Sequence, residues 1–354
     1  IQLEYLPVVS GRVTDEQAIE FKSLYQKSQK PVLAFCRSGT RSITLWALSQ
    51  VAELTIDQML LQSKSLGYDL QGLVPRILKQ NPTQLNNIPT FSVVIVGGGA
   101  AGISVASSLL SRQPNLDIAV IDPAEIHYYQ PGWTMVGGGI FAPEKTVRTM
   151  ASLIPKQVHW IKAAVAAFDP DNKQVLLEGC KPINYEALVV CPGLKLNWHG
   201  IEGLVETLGK NGVTSNYRYD LAPYTWDLVR NMKQGKAIFT QPPMPIKCAG
   251  APQKAMYLSA DYWQKQGVLK DIEIDFYNTG AVLFGVQAYV PALMEYIKRY
   301  NANLNFNHQL VKVDGAQKRA WFKVTEGENT SVIETDFDMI HVVPPQQAPD
   351  FIRA

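Results

Sequence analysis

FSVVIVGGGAAGISVASSLLSRQPNLDIAVID, residues 91–122, is the stretch that decides the fold of this chain. Its apolar, β-branched start predicts a strand over Ser92–Val96, and the small residues of Ala100–Ser111 predict a helix. A second apolar run, Ile118–Ile121, predicts the next strand. Strand, tight glycine turn, helix and second strand in this order are typical of a nucleotide-binding α/β domain.

The glycine turn has the G-x-G-x-x-G spacing that suits a pyrophosphate. Gly97, Gly99 and Gly102 provide a tight turn, room for a phosphate to approach the backbone, and close packing of helix on strand. Asp122 stands 20 residues after Gly102, where a carboxylate can accept a hydrogen bond from an adenosine ribose hydroxyl. The predicted dinucleotide-binding residues are Gly97, Gly98, Gly99, Ala100, Ala101, Gly102 and Asp122.

Two simpler interpretations use the same residues. One is a glycine-rich loop in an ordinary α/β domain, with no ligand. The other is a membrane-spanning helix, because Ile88–Ser111 carries no charged residue. The glycines, the serines and the early turn argue against a continuous apolar helix of about 20 residues.

Length and composition limit the classes of protein that this chain can be. At 354 residues two or three domains are expected, and 46% hydrophobic against 18% charged residues excludes a disordered chain. A net charge of +2 without a long basic run indicates no nucleic-acid partner. Four cysteines form no disulfide framework and suit a reducing compartment, and five scattered histidines lack metal-ligand spacing, so no metal is expected. The start at Ile1, without Met, indicates a piece of a longer polypeptide.

The predicted fold class is α/β, with two Rossmann-like nucleotide-binding domains preceded by a small α/β domain. The predicted boundaries are 1–80 for the small domain, 81–90 for a linker, 91–194 for the first nucleotide-binding domain, 195–335 for the second, and 336–354 for a return to the first.

Hydrophobic patterns place the main elements of these domains. In the small domain they predict strands over Glu4–Val9 and Pro31–Phe35 and helices over Thr14–Gln26, Ser42–Val51, Ile56–Ser65 and Leu70–Gln80. Thr14 and Gln17 have the spacing of a capping box at the start of the first helix. In the second nucleotide-binding domain, strands over Lys236–Gln241 and Asp271–Asn278 flank a helix over Ala251–Gln266.

The loop Cys36-Arg37-Ser38-Gly39-Thr40-Arg41 carries the first candidate catalytic residues, Cys36 and Arg41. The cysteine directly follows a predicted strand and precedes a predicted helix. Loop N–H groups, the positive end of the helix and two arginines would stabilise a thiolate or a bound oxyanion. A buried structural cysteine is the alternative, but the order strand, Cys, loop, Arg and helix favours chemistry.

Cys248 is the second candidate nucleophile. It stands in PMPIKCAGAPQK, residues 243–254, between a predicted strand and a predicted helix whose first turn contains Pro252. The helix N-terminus and the adjacent Lys247 would favour the thiolate, and an inert loop cysteine is the alternative. This strand, loop and helix lack G-x-G-x-x-G, which indicates that the second domain does not bind a pyridine nucleotide.

The C-R-S-G-T-R loop resembles the six-residue active loop of rhodaneses, which carries a persulfide. Protein phosphatases place five residues between Cys and Arg, whereas four separate Cys36 and Arg41. The wider stretch 7–78 resembles a small family described variously as phosphatase-like or as a sulfur transferase. That resemblance implies a partial rhodanese or dual-specificity-phosphatase-like domain, whose usual N-terminal strands would precede Ile1.

Residues 91–354 resemble the sulfide:quinone oxidoreductases, through VVIVGGGAAGISVA, IDPAEIHYYQPGWTMVGGG, YEALVVCPGLKLNW, PIKCAGAPQKAMYLS and FDMIHVVPPQQAPDF. The resemblance implies a glutathione-reductase-like flavoprotein that binds the FAD pyrophosphate at the glycine turn and the ribose at Asp122. It also implies that Cys248 is one of two redox cysteines. The isoalloxazine would lie near Tyr129, Gln130 and Pro131, and Gly193 would belong to a second FAD motif that reads Cys191-Pro192-Gly193 here.

The same resemblance implies a mechanism and partners. Hydrosulfide would attack a disulfide or trisulfide at Cys248, and the resulting persulfide would pass sulfur to a small acceptor or to Cys36. Electrons would pass through the flavin to a quinone. The family's second redox cysteine, its G-D flavin motif and its membrane-docking region would lie beyond Ala354. The expected location is therefore cytoplasmic and peripheral to the inner membrane, or the mitochondrial inner membrane in a eukaryote.

Two other functions stay open from the residues. One is a flavin-dependent NADH:quinone reductase on the same architecture, which a nucleotide fingerprint in the second domain would favour. The other is a phosphatase or sulfur-relay module attached to a non-catalytic scaffold.

Overall fold

The computed structural model describes residues 3–9, 11–81, 88–178 and 182–353. Two compact units are distinguished. The first comprises residues up to 124 together with 154–192, and the second comprises 125–153 together with 193–353. Residues 82–87 of the predicted linker lie outside the described residues. In the described part of the chain, no helix combines the length and the apolar character needed to cross a membrane.

The elements are numbered in chain order. The helices are α1 (Asp15–Lys27), α2 (Thr40–Ser49), α3 (Ile56–Ser65), α4 (Val74–Gln80), α5 (Ala100–Arg112), α6 (Pro131–Gly137), α7 (Met150–Leu153), α8 (Leu204–Thr207), α9 (Ala222–Asn231), α10 (Ala251–Lys265), α11 (Val290–Arg299) and α12 (Asp350–Arg353). The strands are β1 (Thr90–Val96), β2 (Ile118–Ile121), β3 (Ile126–Tyr128), β4 (Val147–Thr149), β5 (His159–Ile161), β6 (Val165–Asp169), β7 (Gln174–Leu177), β8 (Ile183–Val190), β9 (Lys195–Leu196), β10 (Val213–Thr214), β11 (Gly235–Gln241), β12 (Ile272–Asn278), β13 (Ala302–Phe306), β14 (His308–Asp314), β15 (Arg319–Glu326), β16 (Asn329–Asp336), β17 (Met339–His341) and β18 (Gln346–Gln347).

The predicted helices of the N-terminal region are confirmed as α1 to α4. The capping box at the start of α1 is also confirmed. The Thr14 hydroxyl accepts the Gln17 N–H at 3.2 Å, and the Gln17 side chain accepts the Thr14 N–H at 2.9 Å. Ile56, Met59 and Ile77 form the buried centre against which the helices pack.

The predicted strands Glu4–Val9 and Pro31–Phe35 are wrong. Both segments are described and form no strand, and the side chains of Leu33 and Phe35 are 84% and 77% exposed instead of buried. Their apolar composition favours a strand, but a strand needs a neighbour that pairs with its backbone groups. The described residues before 82 form helices and turns and offer no such neighbour.

The organising stretch folds as predicted. β1 leads through the glycine turn into α5, and α5 returns the chain to β2, which pairs with β1 in parallel. β1 also pairs in parallel with β8, and the sheet of the first unit has the order β5-β2-β1-β8-β7-β6. The first Rossmann-like domain of the predicted fold class is therefore confirmed.

The second unit contains an all-parallel sheet of order β10-β17-β11-β12-β13. The helices α10 and α11 connect β11 to β12 and β12 to β13, as a Rossmann-like fold requires. β14, β15 and β16 form an antiparallel layer, and β17 then returns the chain to the parallel sheet beside β11. This confirms the second Rossmann-like domain.

The parallel strands of the second unit are buried on both faces. Phe239, Trp263 and Phe276 lie in one core cluster, and Ile238, Tyr277 and Phe322 lie in another. The Tyr277 and Phe322 rings stack with their centroids 3.9 Å apart. The central strands of this sheet are therefore covered on both sides, as parallel strands usually are.

The helix α6 was missed by sequence analysis. Glycine has a low helix propensity, and α6 with its end contains Gly132, Gly137, Gly138 and Gly139. A Cβ at Gly137 would collide with the Asn216 side chain, and one at Gly138 would press on Leu258. The glycines are therefore needed for close packing, which outweighs their helix propensity.

His341, the last residue of β17, is a fully buried titratable group. Its Nε2 accepts the Asn216 N–H at 2.9 Å, so the ring is neutral in the fold. Burial lowers the pKa of His341 from 6.5 to about 4. The unfolded chain therefore binds a proton at higher pH than the folded chain does.

We expect the free energy of unfolding to fall as the pH drops from 6.5 towards 4, because only the unfolded state gains a proton on His341 in that window. Across the window the loss is about 3 kcal/mol, at about 1.4 kcal/mol for each pH unit. Urea titrations followed by tryptophan fluorescence at several pH values measure it. His341→Gln should flatten this pH dependence, whereas His199→Gln, at an exposed position, should keep it. Equal pH dependence in the wild type and His341→Gln would contradict the assignment.

Candidate functional site

The glycine turn of the first unit is a tight backbone crossing. Gly97 has φ +100°, in the left-handed region, and a Cβ there would collide with the carbonyl oxygen of Cys191. A Cβ at Gly102 would collide with the carbonyl oxygen of Gly97. Neither position can carry a side chain without a shift of backbone.

The predicted ribose ligand, Asp122, lies at the glycine turn. One carboxylate oxygen accepts the Gly98 N–H at 2.7 Å, and the other accepts the Ala124 N–H at 2.8 Å. The indole of Trp160 donates to the Asp122 carbonyl at 2.9 Å. These bonds fix the carboxylate beside the turn, and each oxygen keeps a lone pair for a further donor.

The turn and helix α5 fit a dinucleotide pyrophosphate. Gly99 precedes the helix, has no side-chain cap, and faces open space where a Cβ would stand. The first N–H groups of a helix have no partner within the helix, and here Ala100 and Ala101 contribute them. Donors, space and a positive helix end therefore coincide at the predicted position.

In the second unit, Cys248 lies in the loop between β11 and α10, as predicted. Its side chain is free and exposed, and its backbone is left-handed with φ +63°. The Cys248 carbonyl accepts the Ala251 N–H at 2.8 Å, which closes a turn at the first residue of α10. The thiol therefore belongs to a residue at the positive end of a 15-residue helix.

The Cys248 loop contacts the segment 129–131 within the second unit. The Lys247 ammonium donates to the Gln130 side-chain oxygen at 2.8 Å. Gln130 directly precedes α6, which starts at Pro131, and Tyr129 is exposed. Burial lowers the pKa of Lys247, and the charge of a Cys248 thiolate opposes this. The Lys247 side chain thus joins the Cys248 loop to the segment 129–131, two regions that sequence analysis predicted separately. From the sequence, Lys247 was expected only to favour the Cys248 thiolate.

Two neighbours of Cys248 escaped sequence analysis. The Tyr217 hydroxyl donates to the carbonyl of Lys247 at 3.1 Å and lies 3.4 Å from the carbonyl of Cys248. The Gln346 side-chain oxygen accepts the Lys247 N–H at 2.5 Å. These residues stand about 30 and 100 positions from the cysteine in sequence, and no local pattern signals their contact with it.

Gly193 has φ +75° and faces open space, which suits a turn that a ligand can approach. Cys191 precedes it by two residues and is half-buried with a free thiol. The Cys191 N–H donates to the Val96 carbonyl at 2.7 Å, so this residue continues the pairing of β8 with β1.

The Cys36 loop forms a small cradle at the start of α2, where Gly39 has φ +79°. Burial by itself raises the pKa of Cys36, but the N–H and hydroxyl of Ser42, with the N–H groups of Ser38 and Arg41, lower it to about 6. The thiol is therefore largely ionised at neutral pH.

Arginine side chains do not account for this pKa, contrary to the expectation that the two arginines of the loop lower it. The Arg41 guanidinium donates to the Val8 carbonyl at 2.8 Å, and the donors that act on Cys36 are peptide N–H groups and one hydroxyl. The Tyr68 hydroxyl donates to the Ser38 carbonyl at 3.2 Å and closes the loop over Gly39.

Two family models match the chain. Residues 1–53 match the phosphatase-like domain of beta-lactamase hydrolase-like proteins. Residues 91–241 match the pyridine nucleotide-disulphide oxidoreductases. The first match covers the Cys36 loop, and the second covers the glycine turn, Asp122 and Gly193.

Curated relatives match the larger part of the chain. The mitochondrial sulfide:quinone oxidoreductase of Dictyostelium discoideum is 45% identical over 263 residues, which are 74% of this chain and 57% of that protein. The mitochondrial sulfide:quinone oxidoreductase of Mus musculus is 37% identical over 265 residues, 74% of this chain and 58% of that protein. The chain thus spans rather more than half the length of these relatives.

Solved structures show the same fold. The sulfide:quinone oxidoreductase of the bacterium Aquifex aeolicus superposes with a TM-score of 0.63 at 22% identity, covering 75% of this chain and 60% of that one. The sequence relatives and the superposed structure each cover about three quarters of this chain. Over about three quarters of its length, therefore, the chain is similar in sequence to the sulfide:quinone oxidoreductases named above, and it has the pyridine nucleotide-disulphide oxidoreductase fold.

Proposed function

We propose that the protein oxidises hydrosulfide with a quinone as electron acceptor, and that Cys248 carries the sulfur as a persulfide before it passes to a small acceptor. The observation that carries this proposal is the Cys248 loop, where a free, exposed thiol at a helix start is joined through Lys247 to the segment at Gln130. The relatives named for this reaction support it.

Cys248 is suited to accept sulfur because its side chain is exposed and its residue lies at the positive end of α10. A thiolate is the reactive form of cysteine, and a helix N-terminus stabilises negative charge. The same end of the helix would stabilise a persulfide anion, so sulfur can stay on Cys248 until an acceptor arrives.

FAD is the proposed cofactor, and a flavin is what the matched family implies. The turn Gly97–Gly102 would hold its pyrophosphate, and Asp122 would accept a ribose hydroxyl. Tyr129, Gln130, Pro131 and Gly193 are the proposed further contacts. Bound FAD supplies two-electron redox chemistry that side chains lack.

A reductase that takes electrons from NADH is less well supported. The loop after β11 reads QPPMPIKCAGAP, residues 241–252, and contains three prolines before a cysteine where a dinucleotide turn would have glycines. Proline removes the N–H donors on which such a turn depends. The loop therefore favours a thiol site over a second nucleotide site.

Gly99→Ala tests the cofactor site. The methyl group has room in the fold, but it occupies the space through which a pyrophosphate must approach. We expect flavin affinity to fall by about tenfold or more, equivalent to about 1.4 kcal/mol, with an unchanged melting temperature. Flavin content after dialysis and fluorescence titration of FAD measure the effect.

Ser104→Ala, on the exposed side of α5, is the matched control and should retain flavin. Wild-type flavin affinity in Gly99→Ala would place the cofactor elsewhere.

Cys248→Ser tests the sulfur chemistry in the flavin-loaded protein. Anaerobic sulfide should bleach the flavin absorbance near about 450 nm in the wild type. In the variant the rate should fall by about 100-fold or more, because a serine hydroxyl can neither form the disulfide that hydrosulfide attacks nor carry sulfur as a persulfide. Stopped-flow absorbance measures both rates.

Met244→Ala is the matched control, since its side chain lies in the same loop and is 74% exposed. It should bleach at the wild-type rate. If Cys248→Ser bleaches at the wild-type rate too, the thiol mechanism is wrong.

We further propose that the N-terminal module is a sulfur transferase with Cys36 as its nucleophile and with Arg41 in a supporting role. A cysteine of low pKa in a cradle of N–H donors suits a persulfide anion. The Arg41 guanidinium, bonded to Val8, offers less to a doubly charged phosphate ester. A persulfide on Cys248 is the proposed source of sulfur for this module.

Ser42→Ala tests the cradle. Alkylation of Cys36 by iodoacetamide should reach half its maximal rate near pH 6 in the wild type. Loss of the Ser42 hydroxyl should move this midpoint upward by about one pH unit, because one donor to the thiolate is removed. Peptide mass spectrometry against pH measures it.

Ser38→Ala is the control, because the Ser38 hydroxyl contacts the Thr40 hydroxyl and the Ser38 N–H remains. Its midpoint should stay near that of the wild type.

A comparison of two activities tests whether the module transfers sulfur or hydrolyses phosphate esters. Thiocyanate formation from thiosulfate and cyanide should exceed phosphate-ester hydrolysis, and the reverse order would make the module a phosphatase.

The proposed site of action is the surface of a membrane that contains quinone. The names of the relatives place those proteins in mitochondria. We infer peripheral attachment, to the mitochondrial inner membrane in a eukaryote or to the cytoplasmic side of the inner membrane in a bacterium.

A further inference from the structure

We propose that Tyr217 is the positioning residue of Cys248, and that its hydroxyl holds the Lys247–Cys248 peptide so that the thiol stays at the start of α10. The inference rests on the proposed role of Cys248 as the sulfur-carrying thiol. It assigns a function to a residue that lies 31 positions away in sequence and meets the cysteine only in the fold.

The first observation is the backbone of Cys248. Its φ of +63° lies in the left-handed region, which most residues other than Gly and Asn rarely adopt. The other non-glycine residues with positive φ in the described part of the chain are asparagines and lysines: Lys173, Asn211, Asn301, Asn307 and Lys318. Such a conformation persists only where surrounding contacts impose it.

The second observation is the set of contacts that impose it. The Ala251 N–H binds the Cys248 carbonyl from the helix side at 2.8 Å. A residue earlier in the chain supplies the second contact. The Tyr217 hydroxyl donates to the Lys247 carbonyl at 3.1 Å and lies 3.4 Å from the Cys248 carbonyl. One hydroxyl thus contacts the carbonyls on both sides of the Cys248 α-carbon.

The third observation is that Tyr217 is itself held firmly. It follows β10, and its N–H donates to the Ser215 hydroxyl at 3.1 Å. The preceding Asn216 N–H donates to the fully buried His341 at 2.9 Å. The backbone that carries the Tyr217 phenol is therefore fixed by hydrogen bonds at the ends of two buried strands, β10 and β17.

The Tyr217 hydroxyl keeps its proton at neutral pH and can therefore donate a hydrogen bond. Burial raises the pKa of Tyr217 well above its ordinary value, and the charge of a Cys248 thiolate raises it further. A phenolate could not donate to a carbonyl, so the raised pKa of Tyr217 keeps the contact intact.

The consequence concerns where the thiol sits. While the Lys247–Cys248 peptide is held, the cysteine stays beside the positive end of α10. Without the hydroxyl, Cys248 can relax to an ordinary backbone conformation, and the sulfur leaves the positive end of the helix. Tyr217 therefore acts on the reactivity of Cys248 without touching a substrate.

Alkylation of Cys248 by iodoacetamide at pH 7, measured by peptide mass spectrometry, tests the proposal on the folded chain. In Tyr217→Phe the rate should fall about fivefold, the factor that one ordinary net hydrogen bond confers. Cys36 in the same sample serves as the internal reference, and its rate should not change.

Two further variants separate positioning from packing. Tyr219→Phe is the matched control, because its ring packs against Tyr128 and Trp133 and it should keep the wild-type rate. Tyr217→4-aminophenylalanine retains a donor at the same place and should restore the rate that Tyr217→Phe loses. If only the packing of the ring mattered, this variant and Tyr217→Phe would react at the same rate.

The proposal is overturned if Tyr217→Phe stays within twofold of the wild type or reacts faster, if Tyr219→Phe falls equally, or if the amino variant fails to restore the rate. The assay contains neither sulfide nor flavin. An unchanged alkylation rate in Tyr217→Phe would therefore not contradict the proposed sulfide chemistry of Cys248. Likewise, wild-type flavin bleaching in Cys248→Ser would not change the result of the alkylation test.

Discussion

Parallel strands buried on both faces leave only their ends free for chemistry, and the carboxyl end is where connecting loops meet helix N-termini. This constraint determines where the candidate functional residues of each unit lie. In the first unit the glycine turn follows β1 and Asp122 follows β2. In the second unit Tyr217 follows β10, and the loop with Cys248 follows β11. Residues far apart in sequence thus lie together at the carboxyl ends of the strands of one sheet.

The two candidate cysteines lie near helix N-termini in different ways. At Cys36 a glycine takes the left-handed position, and the cysteine receives N–H and hydroxyl donors that lower its pKa to about 6. At Cys248 the cysteine itself is left-handed, and contacts to its backbone hold it there. In the first loop the donors act on the sulfur, and in the second they act on the peptide that carries the sulfur.

Errors in the sequence analysis share a cause. Pro31–Phe35 has the composition of a buried strand, but composition cannot supply a neighbouring strand, and the segment is exposed. Helix α6 was missed for the converse reason, since its glycines argue against a helix until the Asn216 side chain is seen packed against them. The strand preference of Pro31–Phe35 found no partner strand, whereas packing against a residue distant in sequence outweighed the low helix propensity of α6.

The sequence by itself determined the strand–turn–helix–strand unit of residues 91–122, because hydrophobic period and glycine spacing are local properties. It also predicted Cys36 and Cys248 as candidate nucleophiles, since a cysteine between an apolar run and a helix start is visible in the chain. Only the tertiary structure decided what surrounds those thiols. The contact of Tyr217 with the Cys248 loop joins residues that follow β10 and β11, two strands of one sheet, and no local pattern in the sequence encodes the order of strands in a sheet. The contact of Lys247 with Gln130 joins the same loop to the start of α6, more than 100 residues away in sequence.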